Sequence, residues 1–161
     1  MSTAPEYLSL LNPKQLEAVE SIQGPNLVLA GAGTGKTRVL TTRVAYILDQ
    51  NVAQPSQILC VTFTNKAARE MAERVQKLIP NRFDRMPWMG TFHSLGAKII
   101  RNHAEAIGLK SSFTILDKDD QVALIKQILK SEGLDQSQIS PKYVQSKIDN
   151  WKNKALNPND I

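Results

Sequence analysis

The stretch Ala30-Gly31-Ala32-Gly33-Thr34-Gly35-Lys36-Thr37 constrains this chain more than any other. Before it lies a short apolar run, Asn26-Leu27-Val28-Leu29-Ala30, that reads as a buried strand. After it, Val39, Leu40, Val44, Ile47 and Leu48 recur at a helical period from Lys36 to Leu48. A strand, a glycine turn and a helix opening on Gly-Lys-Thr form the setting in which backbone N–H groups curl around phosphate oxygens. Gly33 and Gly35 permit the curl through Ala32 and Thr34, and the helix start adds its positive dipole end. Lys36 can reach terminal phosphates and Thr37 can ligate Mg²⁺. The opening position of the pattern, usually Gly, is Ala30 here.

Such a loop also needs an acidic residue at the end of an apolar strand to hold the metal. Phe113-Thr114-Ile115-Leu116-Asp117 is the one candidate shape, and Lys118 follows it where an adjacent acid would activate water. Either Asp117 is that acid or the acid lies beyond Ile161.

The rest of the chain alternates strand and helix as far as residue 117. Asn12 is a suitable N-cap and Pro13 a suitable first helical residue. Ile58 to Phe63 reads as a second buried strand, and residues 65–79 as a helix with Ala67, Met71, Val75 and Leu78 on one face. Trp88 to Thr91 reads as a short strand, a helix runs from about Phe92 to Ile107, and Phe113 to Leu116 is a further strand candidate. This alternation predicts a parallel sheet with helices on both faces, with Cys60 buried in a three-layer core. Residues 118–131 and about 141–152 look helical and no strand follows. That gives an expected division at 1–117 and 118–161, the second part an appendage away from the sheet. A chain that stops within a new helical section reads as a fragment of something longer.

Composition narrows the function. At 161 residues and 42% hydrophobic content the chain suits one folded core and not disorder. No window approaches the roughly 18 apolar residues of a membrane span, and no secretory signal opens the chain. A single cysteine, Cys60, makes no internal disulfide and no Cys-based zinc site, so the expected address is cytoplasmic. The net charge of +5 is local: residues 65–110 hold nine basic side chains against four acidic, while the flanking parts balance. Such an excess suits a phosphate-bearing polymer. Two solvated helix faces would produce it equally well, and charge alone does not separate the two.

Three further segments bear on chemistry. In Leu11-Asn12-Pro13-Lys14-Gln15, Gln15 stands three places after Asn12, as in a capping box. Taken alone that reading is preferred, although a carboxamide held at a helix start can also pair with adenine. Thr62-Phe63-Thr64-Asn65-Lys66-Ala67-Ala68 follows the second strand, where open α/β sheets place ligands. Its aromatic, hydroxyl, amide and lysine groups can stack a base and grip phosphates. Gly90-Thr91-Phe92-His93-Ser94 sits at another strand-to-helix junction, and Thr91, His93 and Ser94 at a helix N-terminus form a natural phosphate site.

The ordered set LNPKQ, AGAGTGKT, TFTNKAA and GTFHS closely resembles superfamily 1 DNA helicases of the UvrD/Rep/PcrA type, from about Leu10 to Asp117 and weakly to Ile161. The Ala30 departure is the form this family uses. The resemblance implies an incomplete P-loop RecA-like lobe (1A) over 1–117, followed by the start of the inserted helical subdomain 1B. It implies that Gln15 reads adenine, that Ala32, Gly33, Thr34, Gly35, Lys36 and Thr37 hold ATP and Mg²⁺ with Lys36 and Thr37 as the catalytic pair, and that Arg38 lies near the nucleotide. Phe63, Asn65, Thr91, His93 and Ser94 would line the path of single-stranded DNA. The partners implied are single-stranded DNA, single/double-strand junctions and the C-terminal lobe of the same protein. That lobe and the family's metal acid would lie after Ile161, so the chain alone should be inactive. Two alternatives stay open: a small P-loop kinase with Asp117 as metal acid, although no arginine follows position 117, and a non-hydrolysing, nucleotide-regulated binding module.

Overall fold

In the computed structural model, which describes residues 5–80, 82–83, 85–134 and 139–161, the helices begin where the sequence sets their caps. Helix α1 (Pro13–Glu20) starts at a closed capping box: Gln15 N–H donates to Asn12 Oδ1 at 2.9 Å, and Asn12 N–H donates to Gln15 Oε1 at 3.0 Å. The two side chains thus satisfy donors that the helix itself leaves orphaned.

Helix α2 (Lys36–Asp49) is the central element of its unit. Val39 packs into a small cluster with Leu8 and Val19. One turn on, Val44, Ala45 and Leu48 join Cys60, Met71, Val75, Ile79 and Met86 in the larger cluster. Arg43 ties α2 back to α1, its Nη1 donating to the Ala18 carbonyl at 2.6 Å. Thr41 is 2% exposed, yet its hydroxyl is satisfied within the helix by the Thr37 carbonyl at 2.9 Å. Leu40, placed by its spacing with the apolar face, is 40% exposed instead.

Strand β1 (Cys60–Thr62), helix α3 (Asn65–Leu78) and strand β2 (Met89–Thr91) form a β-α-β crossover. The strands pair in parallel, with Cys60 opposite Met89, Val61 opposite Gly90 and Thr62 opposite Thr91. Parallel pairing requires a connection of this length, and α3 supplies it. Its Met71 and Val75 are 3% and 0% exposed, each burial stabilising by about 1.5–3 kcal/mol. Cys60 is buried, as its strand setting predicts. Helix α4 (Phe92–Asn102) follows β2 without a loop. Gly90 makes that junction possible: a Cβ there would lie 2.9 Å from Ser94 Oγ and 3.2 Å from Leu95 Cγ. The helix predicted to reach Ile107 stops at His103, and a short 3₁₀ turn, Ala104–Ile107, completes it.

Two predicted strands are corrected. Residues 26–30 form no strand, and Leu27 and Leu29 are 84% and 86% exposed. Their unbroken apolar character is that of a central strand, which needs a ladder on each edge and cover on each face. Among the described residues only β1 and β2 pair, and they pair with each other. Residues 113–116 form no strand either. They lead into a helix that Asp117 begins, its Oδ1 accepting the N–H groups of Asp119 at 2.9 Å and Asp120 at 2.8 Å. The sheet among the described residues is therefore two-stranded, narrower than the three-layer core predicted.

The chain divides into two compact units, Met1–Ser111 and Ser112–Ile161. The second holds helices α5 (Lys118–Ser131) and α6 (Pro141–Asn153). Ile125 and Leu129 of α5 are buried. Gln145 of α6 donates to the Lys118 carbonyl at 3.1 Å and to Gln121 Oε1 at 3.0 Å, which fixes α6 against the first turn of α5. Among the described residues no helix is long and apolar enough to cross a membrane.

Candidate functional site

The glycine loop turns through two residues in the left-handed region, Gly33 at φ +75° and Gly35 at φ +85°. Residues with a Cβ are strained there. Gly35 is also the N-cap of α2, so no side chain caps that helix. Its first N–H groups are left for another acceptor. The loop braces itself instead: Thr34 Oγ1 donates to the Gly31 carbonyl at 2.8 Å, and Lys36 Nζ folds back to the carbonyls of Ala30 at 3.0 Å and Gly31 at 2.5 Å.

Gln15 joins this loop to α1. While its Oε1 serves the capping box, its Nε2 donates to the Thr34 carbonyl at 3.1 Å. Capping and contact with the glycine loop, two readings of one residue, are both present. The hollow beside it, about 460 Å³, is lined by Gln15, Gly33, Thr34, Gly35, Lys36, Thr37, Arg38 and Arg74. Its charged side chains are Lys36, Arg38 and Arg74, with no carboxylate among the lining residues. Open helix N–H groups, three cations and the Thr37 hydroxyl form a donor set that fits a polyphosphate with its divalent cation. Arg74 is the member of this set that comes from another helix. It reaches the hollow from α3, and spacing along the sequence carries no signal of that. Its Glu70 partner is 3.9 Å away and both side chains are about half exposed, so the pair holds it weakly.

The C-terminal ends of β1 and β2 form a second collection of side chains. Phe63 and Phe92, the residues following each strand, are 86% and 58% exposed, and their ring centroids lie 5.4 Å apart. Asn65 begins α3 and His93 lies in the first turn of α4, both exposed. Thr91 and Ser94 have other work. Thr91 is 7% exposed, and its Oγ1 accepts Ser94 N–H at 3.2 Å while Ser94 Oγ accepts Thr91 N–H at 3.0 Å. At the start of α3, Thr64 Oγ1 likewise accepts Ala67 N–H at 3.1 Å. The Thr91 and Ser94 hydroxyls, read with His93 as a phosphate site, also cap the helix they begin. Phe92 is the further aromatic at this edge, and its signal in the sequence is that Thr62-Phe63 and Thr91-Phe92 repeat one dipeptide at the two strand ends.

Some of the local positive charge is structural. Lys98 Nζ lies 4.4 Å from the Trp88 ring centroid and donates to the Pro87 carbonyl at 2.6 Å. Arg82 pairs with Asp49 at 2.9 Å. Burial and the Asp49 carboxylate, which accepts the Tyr7 hydroxyl at 3.1 Å, push the Tyr7 phenol well above its ordinary range. Lys66, Arg69, Lys77, Arg85 and Lys110 remain on the surface. Asp117, the candidate metal acid, is the cap of α5 and spends one oxygen on that helix. Among the described residues no group of three or more His, Cys, Asp or Glu side chains is placed to hold a metal.

Residues 11–161 match the family model described as UvrD/REP helicase N-terminal domain. The ATP-dependent DNA helicase PcrA of Staphylococcus aureus is 48% identical over 153 residues, covering 95% of this chain and 21% of that protein. The probable DNA helicase II homolog of Rickettsia conorii is 48% identical over 158 residues, covering 97% of this chain and 24% of that protein. PcrA of Staphylococcus epidermidis is 47% identical over 150 residues, covering 93% and 20%. The chain thus spans about a fifth to a quarter of the length of the curated relatives it matches. With a family match over nearly its whole length, on top of the open glycine loop and its cationic hollow, the chain belongs to the UvrD/REP helicases, of which it carries the N-terminal domain.

Proposed function

We propose that this chain supplies the ATP-binding part of an ATP-dependent DNA helicase, which couples hydrolysis to 3'-to-5' movement on single-stranded DNA and to duplex unwinding. The observation that carries this reading is the uncapped start of α2 beneath a left-handed glycine turn, facing a hollow ringed by Lys36, Arg38 and Arg74. The N–H groups after Gly33 and Gly35 receive phosphate oxygens. Lys36 exchanges the Ala30 and Gly31 carbonyls for the terminal phosphates, Thr37 holds Mg²⁺, and Arg38 and Arg74 offset the remaining charge. A Mg²⁺ held at Thr37 would supply neutralisation of the charge on the transferred phosphoryl group. Gln15 meets the adenine.

In this reading the β-α-β crossover is part of a RecA-like lobe, 1A. Residues 27–30 enter its sheet as a strand once partners outside this chain supply the ladder. Residues 118–161 open the helical subdomain 1B. The water-activating acid and the arginine finger also come from outside, so the isolated chain hydrolyses ATP negligibly. Single-stranded DNA, and its junctions with duplex, pass over the edge marked by Phe63, Asn65 and His93, with Thr91 and Ser94 holding that corner in shape.

Equilibrium binding of a fluorescent ATP analogue tests the nucleotide site. Lys36→Ala in the full-length protein is expected to abolish MgATP binding, and unchanged preference for triphosphate over nucleoside would remove the assignment. A phosphate-release assay on residues 1–161 tests completeness: DNA-stimulated turnover that disappears in Lys36→Ala would mean that the active site lies wholly within this chain.

A further inference from the structure

The register of β1 and β2 sets two aromatic rings side by side. Thr62 pairs with Thr91, so the residues that follow the two strands, Phe63 and Phe92, leave the sheet side by side. Neighbouring strands lie about 4.8 Å apart, and the ring centroids are 5.4 Å apart with planes tilted by 56°. At 86% and 58% exposure neither ring is a core residue. A tilted pair in contact leaves no slot between its rings for a flat ligand. At this exposure the Phe63 ring touches its neighbour and keeps most of its surface open. A lone exposed phenyl ring samples several rotamers and loses that freedom when a ligand stacks on it. Phe92 is better anchored, because it is the first residue of α4 and directly follows the Thr91 cap.

We propose that Phe92 is a positioning residue: its ring holds the Phe63 ring in place, so that the open face of Phe63 receives an unpaired nucleobase of single-stranded DNA. This rests on the reading that the strand crosses this edge. Neither ring carries a hydrogen-bonding group, so the ledge takes any base by stacking and does not read sequence.

Fluorescence anisotropy on the full-length protein tests the pair, with labelled oligo(dT) compared against an abasic strand of equal length. Phe63→Ala should weaken oligo(dT) binding about 5-fold or more and leave abasic binding unchanged. Phe92→Ala should weaken oligo(dT) binding about 2- to 10-fold, Phe92→Tyr should restore it, and the double alanine variant should be no weaker than Phe63→Ala alone. Losses that multiply in the double variant, or a Phe92→Ala protein that binds as wild type, overturn the positioning role. If Phe63→Ala has no effect and wild type does not distinguish oligo(dT) from the abasic strand, the DNA edge itself is wrong. Binding of an ATP analogue at the glycine loop monitors folding. Should Phe92→Ala lose that as well, Phe92→Leu and Phe92→Tyr decide, since both keep bulk and only one keeps the ring. Weaker binding by the leucine variant supports the proposal, and equal binding overturns it.

Discussion

Helices α2 and α4 begin in opposite ways. Gly35 precedes α2 in the left-handed region and offers no side chain, so the first turn of α2 has donors to spare. Thr91 precedes α4 and trades hydrogen bonds with Ser94, so two of the N–H groups at its start are already taken. Both starts carry the dipole that attracts anions. Only α2 has no side-chain cap, and its start is the one ringed by Lys36, Arg38 and Arg74. A helix N-terminus whose cap is withheld keeps its donors for an anion. In GTFHS the Thr91 and Ser94 hydroxyls serve the helix start as its cap.

Giving α2 a cap should produce the largest effect. Gly35→Thr forces a β-branched residue to φ +85°, with a Cβ 3.1 Å from Gln15 Nε2. A loss of about 1–3 kcal/mol in stability is expected, together with loss of triphosphate binding. Thermal melts and titration with an ATP analogue read the two separately, and wild-type affinity in this variant would mean that the open cap is not what binds phosphate. Opening the α4 start is the milder reciprocal: Thr91→Ala should cost about 0.5–2 kcal/mol in urea denaturation without moving triphosphate affinity. Any gain in phosphate affinity at that corner would blur the distinction. Thr64→Ala, which removes the single cap bond of α3, should fall in the lower half of that range, about 0.5–1 kcal/mol.

The smallest effect concerns the frame beneath both junctions. Burial raises the Cys60 thiol above its ordinary value of 9.0, and burial with Asp49 raises the Tyr7 phenol above 10.0. Groups raised on folding contribute stability below their unfolded values and lose it as pH climbs toward the folded ones. Melting temperature should therefore be flat with respect to these groups through neutrality and fall above about pH 9. Tyr7→Phe should flatten part of that fall.

What could be read from the sequence follows from the range of each interaction. The α1 cap, the α2 start and the Met71 and Val75 face of α3 depend on residues three or four places apart, and all were legible. The exposure of Leu27 and Leu29 was not, because a strand exists only when its ladder partners do, and an apolar run does not say where those are. Asp117 misled for a related reason. An acid after an apolar run is equally a strand-end metal ligand and a helix cap, and only the positions of the Asp119 and Asp120 amides decide. Arg74 at the hollow and Lys98 over Trp88 arise from tertiary packing, which no local pattern encodes. Phe92 could have been found by comparing the two Thr-Phe strand ends.

Gln15 holds α1 closed with one end of its carboxamide and touches the glycine loop with the other. If a purine claims that carboxamide, the Asn12 amide loses its acceptor and is returned to water. Base occupancy then becomes a question of timing that hydrogen exchange can follow. The Asn12 amide would trade its proton for deuterium faster with an adenine nucleotide bound than with inorganic triphosphate, which fills the loop but leaves Gln15 alone. Linkage runs the other way too. A substitution such as Asn12→Ala, which loosens the same box from its far side, would alter how sharply the protein distinguishes adenine from other bases. The first turn of a short helix, with no atom on the phosphates, would thereby keep a record of which nucleotide is present.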